Sequence, residues 1–575
     1  MLLGKLAFLL FLTIVSCQED FVLNVVHVND IHAHFDPFNK NGLMCSTAEE
    51  EAKACYGGLP RLMTKVKELL DRNNTLFLNA GDFYQGTLYY SLFKGDLIAK
   101  MGNLMHMTAF ALGNHEFDDG VPGLMNMTLQ AEFPVLGANI DTALEPELAK
   151  TIDKSVIVEV GGRRIGIIGF ITKNTDILAS PGENLVFLDE IESLQEEADR
   201  LTEDGVDIII AVGHSGYEED KAIAANVKGV DLVVGAHSHS FLWPDGMELP
   251  AEDQPRGPYP TIVTQSDGEV TRKVPVVQAY AYGKYVGNFS LRFNSMGDVL
   301  GFEGLPILID QSIEPDQTII DALKPYYDAV QQDYFYYIGK TNVYLNGSGR
   351  LEETNMGNLI TDAMIDWVSN EDTVGMYNSD YEWTKAAIAV NNDGSIRASI
   401  DDTSRDGNIT RGDIRSVVPF ENELWIIEVN GKTLKEAIEL SVKEPSGAFL
   451  QVSGLQLFID KNLPPGARTV QMYARCQKCR VPAYEPVEDN KNYRIAIFDF
   501  LAEGGDGYYM FKNKTVEMLG VKDYDVVEGY ISKISPVNIG VEGRIRFIDS
   551  DRSSSQSLLP ISLILVFSTA FCLFI

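Results

Sequence analysis

Between Phe21 and about Asp267, short apolar runs alternate with amphipathic helical patterns, and this alternation limits the fold more than any other feature of the sequence. The runs FVLNVVHV, TLFLNA, DIIIAVG and VDLVVGA are continuous enough to be strands covered on both faces, while LPRLMTKVKELLD and IESLQEEADRL repeat apolar residues at helical period. Strands interleaved with helices build α/β layers around a buried sheet. SVIVEVGGRRIGIIGFI adds a hairpin at Gly161 and Gly162. A helical stretch from Pro315 to Phe335 follows, and a second mixed α/β segment runs from there to about Phe547. A chain of 575 residues is too long for one core, so two or more domains are expected.

Both ends read as processing signals. Met1 to Cys17 carries an early Lys5, the apolar run LAFLLFLTIV and small residues before Gln18, the pattern of a cleaved secretory signal. The apolar tail from Leu558 to Ile575 has no basic flank and follows the polar stretch DSDRSSSQS. Small residues, a polar spacer and a terminal apolar tail signal exchange of the tail for a glycosylphosphatidylinositol (GPI) anchor; a tail-end transmembrane helix is the alternative. Ser550 leaves the better spacer and is the expected attachment residue, while Ser553 has the smaller neighbours. The mature chain is thus expected on the extracellular face of the plasma membrane. With Cys17 and Cys572 removed, Cys45, Cys55, Cys476 and Cys479 remain, an even number suited to an oxidising compartment. Two local bridges, Cys45 to Cys55 and Cys476 to Cys479, are expected. CQKC read as a redox or zinc motif is the alternative, although no second cysteine pair exists to complete a zinc site. Acceptor sequons at Asn73, Asn126, Asn288, Asn346, Asn408 and Asn513 fit a secreted glycoprotein.

A formal charge of -35 would repel a phosphate backbone over a wide area, which argues against nucleic acid as a partner. Any phosphate-bearing ligand must meet local cations. All eight histidines lie between His27 and His239, and five of them, His32, His115, His214, His237 and His239, fall just after apolar runs. Asp30 and Asp82 recur in the same setting, and Asn114 precedes His115. Ligands at the ends of successive strands of an open α/β sheet converge on one crevice. His, Asp and Asn are donors suited to zinc or a similar divalent ion, and seven of them suffice for two ions if one carboxylate bridges. His27, His34 and His106 stand outside any motif and read as core or surface residues.

The strings NDIHAH, AGDFYQGT, GNHEFD, VGHS and GAHSH, in that order, resemble the calcineurin-like binuclear metallophosphoesterases, and within them the 5'-nucleotidases. In the second segment ETNMGNLITDAM, VPFEN, FLQVSG, CQKCRVP, FLAEGGDGY and VEGRI resemble the 5'-nucleotidase C-terminal domain. The signal and the lipid-anchor pattern match the GPI-anchored branch of that family. The resemblance implies an N-terminal metallophosphoesterase αββα sandwich at 18–314, a linker helix at 315–338 and a C-terminal mixed α/β substrate-binding domain at 339–549, between a signal at 1–17 and an anchor segment at 550–575. It puts Asp30, His32, Asp82 and His239 on one metal ion, and Asp82, Asn114, His214 and His237 on the other, both zinc. It makes His115 the catalytic histidine, oriented by Asp118, and gives Glu116 no role. Phe420 and Phe500 would sandwich the nucleobase, with Arg350, Asn392, Arg397 and Asp506 on the phosphate, base or ribose. This chain departs from the usual pattern at NNDGSIR, where a more glycine-rich loop is common, and at Ser453, where a glycine is common.

The activity so implied is extracellular hydrolysis of AMP to adenosine and phosphate by a metal-activated water. An apyrase cleaving ATP and ADP, or an inactive adhesion glycoprotein on the same scaffold, are the alternatives. A homodimer through the C-terminal domain is also expected.

Overall fold

The computed structural model describes residues 20–267, 270–295, 297–370 and 383–549. The expected signal, the anchor segment and Ser550 lie outside the described residues. Strand Phe21–Val28 buries Leu23, Val25 and His27 on its inner side and pairs in parallel with Thr75–Asn79, which pairs in parallel with Ala109–Ala111 and so on to Val135–Leu136. On its other side it pairs antiparallel with Tyr285–Phe293, which continues the sheet to Val299–Gly304. A second sheet runs in the order Thr261–Asp267, Val270–Val277, Leu232–Val234, Ile208–His214, Arg163–Ile171 and Ser155–Val160. The hairpin expected at Gly161 and Gly162 joins the last two strands, and both glycines have positive φ.

The two sheets pack face to face through Leu23, Val25, Leu76, Leu78, Ile167 and Ile210, all essentially inaccessible to water. Helices cover the outer faces. Leu59–Leu70 buries Leu59, Leu62, Met63, Val66 and Leu69, a stripe at helical spacing in which each side chain contributes about 1.5–3 kcal/mol of apolar burial. Glu190–Glu203 covers the second sheet with Leu194, Ala198 and Leu201, and is started by Asp189, whose carboxylate accepts from the N–H groups of Ile191 and Glu192. The arrangement is an αββα sandwich, and strand Ile208–His214 is buried at every position. The two-sheet sandwich that the resemblance implies is therefore present.

Helix Gln317–Tyr334 leads out of this domain, capped by Asp316. It is not a free spacer, because Ile319, Leu323, Val330 and Tyr334 belong to the N-terminal core. At its end the Tyr334 hydroxyl accepts from Met44 N at 3.0 Å and donates to Asp413 Oδ1 at 3.2 Å, one contact on each side of the domain boundary. The C-terminal domain has a five-stranded sheet, Leu450–Ser453, Ile388–Asn392, Asn492–Phe498, Glu423–Asn430 and Thr515–Lys522, and a smaller four-stranded one. Helices Asn355–Val368 and Asp523–Ile534 close one face of the core.

Cys45 is bonded to Cys55 and Cys476 to Cys479, the two local bridges expected. Of the sequon asparagines, Asn73, Asn126, Asn408 and Asn513 are exposed, while Asn288 and Asn346 are half-buried, Asn288 within a strand paired on both edges. Among the described residues no helix is long and apolar enough to cross a membrane.

Candidate metal centre and active site

The donors come off one end of both sheets. Asp30 and His32 follow Phe21–Val28, Asp82 follows Thr75–Asn79, and Asn114 and His115 open a short 3-10 turn after Ala109–Ala111. His214 ends its strand, and His237 and His239 follow Leu232–Val234. Parallel core strands all point their carboxyl ends the same way, which is why residues far apart in sequence meet here. Asp30, His32, Asp82, His237 and His239 all have φ between 47° and 71°. Left-handed backbone costs a non-glycine residue about 1–2 kcal/mol, and such strain gathers at functional sites. It is offset by bonds between the loops: Asp30 N donates to Gly81 O at 3.0 Å and His32 N to Asp82 O at 3.0 Å. Gly113 has no room for a side chain, since a Cβ would strike the Asp82 carboxylate.

Two donor groups form, Asp30 with His32 and His239, and Asp82 with His214 and His237, the ligand atoms of each within 4.8 Å of one another. They adjoin: His32 Nε2 lies 3.9 Å from Asp30 Oδ1 and 3.8 Å from Asp82 Oδ2, and His214 Nε2 lies 3.7 Å and 2.8 Å from the same two atoms. The rings are aimed from behind. His32 Nδ1 is 3.1 Å from Tyr84 O and His214 Nδ1 is 2.9 Å from Ala80 O, which turns each Nε2 inward. Asp30 Oδ1, Asn114 Oδ1 and His214 Nε2 are buried without a hydrogen bond; the short His214–Asp82 approach is close enough for an ion pair but is not aligned as a hydrogen bond. Buried, unbonded donors and acceptors of these types, converging from two sides, fit two divalent cations. Burial works against protonating His214, yet Asp82 and Asp30 hold its pKa up to about 10, while burial and His214 push His237 down to about 3.

His115 stands beside the two groups, its Nε2 4.0 Å from Asp82 Oδ2 and its Nδ1 2.8 Å from Asp118 Oδ2. Burial opposes its charge, but Asp118 and Asp82 prevail and raise its pKa. Its ring stacks on Phe420 of the C-terminal domain, centroids 5.4 Å apart. Arg397, 5.8 Å over the same Phe420 ring, brings Nη2 to 3.3 Å from His32 Nε2. Asn392 Nδ2 donates to Asp506 Oδ2 at 2.8 Å, and burial raises Asp506 to about 6. Phe500 lies over Gly505, where a Cβ would meet its ring, next to Asp506. Arg350 is exposed on the same side, 3.9 Å from Asp393.

Several residues at the site were given no role by sequence. Glu116 is fully buried, and its carboxylate accepts from the backbone N–H of Asp82, Phe83, Tyr84 and Gly113 at 2.7 to 3.1 Å, tying the Asp82 loop to the Asn114 turn. Asn29 donates to Asp30 Oδ2 and to Tyr280 O. Tyr282 packs against His34 with centroids 4.2 Å apart and lies near His32 and His239. Adjacency to a ligand was the only signal for Asn29 and Glu116, and Tyr282 had none. His27 is a core residue bonded to Tyr259, His106 is an exposed helix end, and His34 backs the His32 carbonyl.

Residues 23–241 match the calcineurin-like phosphoesterase family and residues 337–513 the 5'-nucleotidase C-terminal domain family. The chain is 41% identical over 550 residues to the 5'-nucleotidase of Mus musculus, covering 94% of this chain and 92% of that one. It is 39% identical over 561 residues to protein 5NUC of Lutzomyia longipalpis, covering 95% and 96%. The solved structure of a 5'-nucleotidase precursor from Thermus thermophilus superposes with a TM-score of 0.82 at 34% identity, covering 92% of this chain and all of that one. The chain therefore belongs to the 5'-nucleotidase family, as a hydrolase whose calcineurin-like phosphoesterase domain precedes a 5'-nucleotidase C-terminal domain.

Proposed function

We propose that the chain converts nucleoside 5'-monophosphates, AMP foremost, to nucleoside and phosphate outside the cell, at a centre of two zinc ions. One observation carries this reading. Two donor groups adjoining at Asp82 lie beside His115, and Phe420 and Arg397 of the other domain reach the same point. When bound, the ions supply positive charge for the phosphoryl oxygens and acidify the attacking water. Asp30, His32 and His239 would hold one ion and Asn114, His214 and His237 the other, and Asp82 would contribute to both.

His115, its Nδ1 fixed by Asp118, presents the Nε2 proton to the charge that develops on the phosphoryl or leaving oxygen. Arg350 and Arg397 meet the phosphate side, supplying the local cations an acidic protein needs. Asn392 and Asp506, bonded to each other, address the ribose, and Phe420 with Phe500 sandwich the base. Chemistry thus belongs to a domain at 18–314 and selection to one at 339–549, joined through 315–338. The signal-like start, the four exposed sequons and the disulfides support an extracellular site of action; a lipid anchor at Ser550 and a dimer through the C-terminal domain complete the proposal. Release of activity from cells by phosphatidylinositol-specific phospholipase C tests the anchor.

The deciding experiment strips the purified protein with chelator, restores zinc, and measures phosphate release from AMP, ADP and ATP. Zinc-dependent release from AMP above the others is expected. Preference for ATP and ADP would make the chain an apyrase, and no release from any would make it a binding glycoprotein.

A further inference from the structure

Beside the site, one cluster of charges crosses the domain boundary, and its backbone is strained on both sides. Lys94 interrupts helix Leu88–Met105 with φ 50° and ψ -151°. Glu421, directly after Phe420 on the C-terminal domain, has φ 60°. Neither residue type tolerates the left-handed region as Gly, Asn or Asp do, and strain of this kind persists where a side chain is needed in place. The two strained residues meet. Lys94 Nζ lies 3.3 Å from Glu421 Oε2 and 3.4 Å from Asp119 Oδ2. The Tyr90 hydroxyl donates to Asp119 Oδ2 at 2.8 Å, and Lys94 Nζ sits 5.0 Å from the centre of the Tyr90 ring. Arg415 Nη1 flanks Glu421 Oε1 at 3.8 Å.

Chain continuity closes a circuit through these contacts. Asp119 follows Asp118, which holds His115, and Glu421 follows Phe420, which stacks on His115. We propose that Lys94 and Glu421 form an ionic latch that holds the C-terminal domain where Phe420 covers His115, making both positioning residues. The consequence for substrate rests on the roles proposed above for Phe420 and His115, but the latch itself concerns only how the domains sit. Domains joined through one linker move relative to each other unless their interface is large and apolar, so a pair of charges can bias the arrangement. Lys94 is 34% and Glu421 28% exposed, so the bias is modest, about two- to fivefold, and falls as salt screens it.

The test places spin labels at Lys150→Cys and Lys432→Cys, exposed positions on the two domains, and reads the interdomain distance distribution of the substrate-free full chain. Lys94→Gln and Glu421→Gln are each expected to raise the ratio of open to closed molecules two- to fivefold, the double variant no further than the singles, with high salt bringing the parent towards them. Glu421→Gly relieves the strained φ, so it is expected to fold at least as stably and still to open the protein. KM for AMP should rise with the open fraction. If distances shift while KM does not, the latch stands and the role given to Phe420 falls. Unchanged distances in Lys94→Gln and Glu421→Gly, or additive effects in the double variant, would overturn the latch.

Discussion

Glu116→Gln tests how the centre is held together. The side chain is fully buried, Oε2 accepting from Asp82 N at 2.9 Å and Gly113 N at 2.7 Å, and Oε1 from Phe83 N at 2.8 Å and Tyr84 N at 3.1 Å. Burial and the Asp82 charge push its pKa up to about 7, against the backbone N–H donors. All four partners donate, so a proton on either oxygen would face another N–H, and the ionised form is the one this geometry fits. An amide keeps the shape but turns one oxygen into a donor, which abolishes two of the four bonds and sets N–H against N–H. Hydrogen bonds to a charged group are worth about 1.5–3 kcal/mol each, so the loss is about 3–6 kcal/mol, comparable to the stability of a whole domain. Part of it will appear as looser positioning of Asp82 and Asn114, for which 10- to 100-fold weaker metal binding is the expected scale. The assay is urea unfolding of the metal-free protein, alongside zinc affinity by competition with a calibrated chelator. A variant that unfolds at the parental midpoint and binds zinc as tightly would refute the clamp. Lost stability with unchanged zinc affinity would reduce Glu116 to a structural residue.

The proposed roles divide the kinetics between the domains. His115→Ala should lower kcat for AMP and for a small aryl phosphate alike, by about 100-fold or more, as removal of a proton donor does. Phe500→Ala should raise KM for AMP about 5- to 150-fold, from roughly 1–3 kcal/mol of stacking, and leave the aryl phosphate unchanged; equal loss on both substrates would displace Phe500 from the base site. Phe420→Ala is expected to affect both substrates, because it also frees the His115 ring. Asp523 is buried, and burial pushes its pKa up to about 8. The folded value exceeds the unfolded one of about 3.9, so its contribution is complete below pH 4 and is lost as pH rises to about 8. Asp523→Asn should therefore gain on the parent by about 1 kcal/mol per pH unit across that window in urea unfolding, and a constant difference from pH 5 to 8 would contradict the assignment.

The two halves of the site differ in how far the sequence discloses them. Each metal-type donor follows its strand by a few residues, so Asp82 after TLFLN or His237 after LVV could be read as polar groups delivered to a sheet end. Which strands share a sheet could not, because a buried strand has the same apolar composition in one open sheet as in either layer of a sandwich. Glu116 escaped for another reason. It bonds only backbone N–H groups, and backbone partners leave no residue type to find. The C-terminal half was less legible still. Phe420 and Phe500 read as core aromatics on their own, and Lys94 lies in none of the motifs. What distinguishes Phe420 and Lys94 is contact across the domain boundary: Phe420 on His115, with Arg397 at His32, and Glu421 at Lys94. Donors that must meet one ion are constrained in type by coordination chemistry and in place by strand geometry. A surface that selects a substrate is constrained only by the arrangement of two folded bodies, and the same arrangement admits many residue types. The left-handed φ at Glu421 is the point where that arrangement does press back on the chain, since the backbone there favours glycine while the contact across the boundary needs a carboxylate.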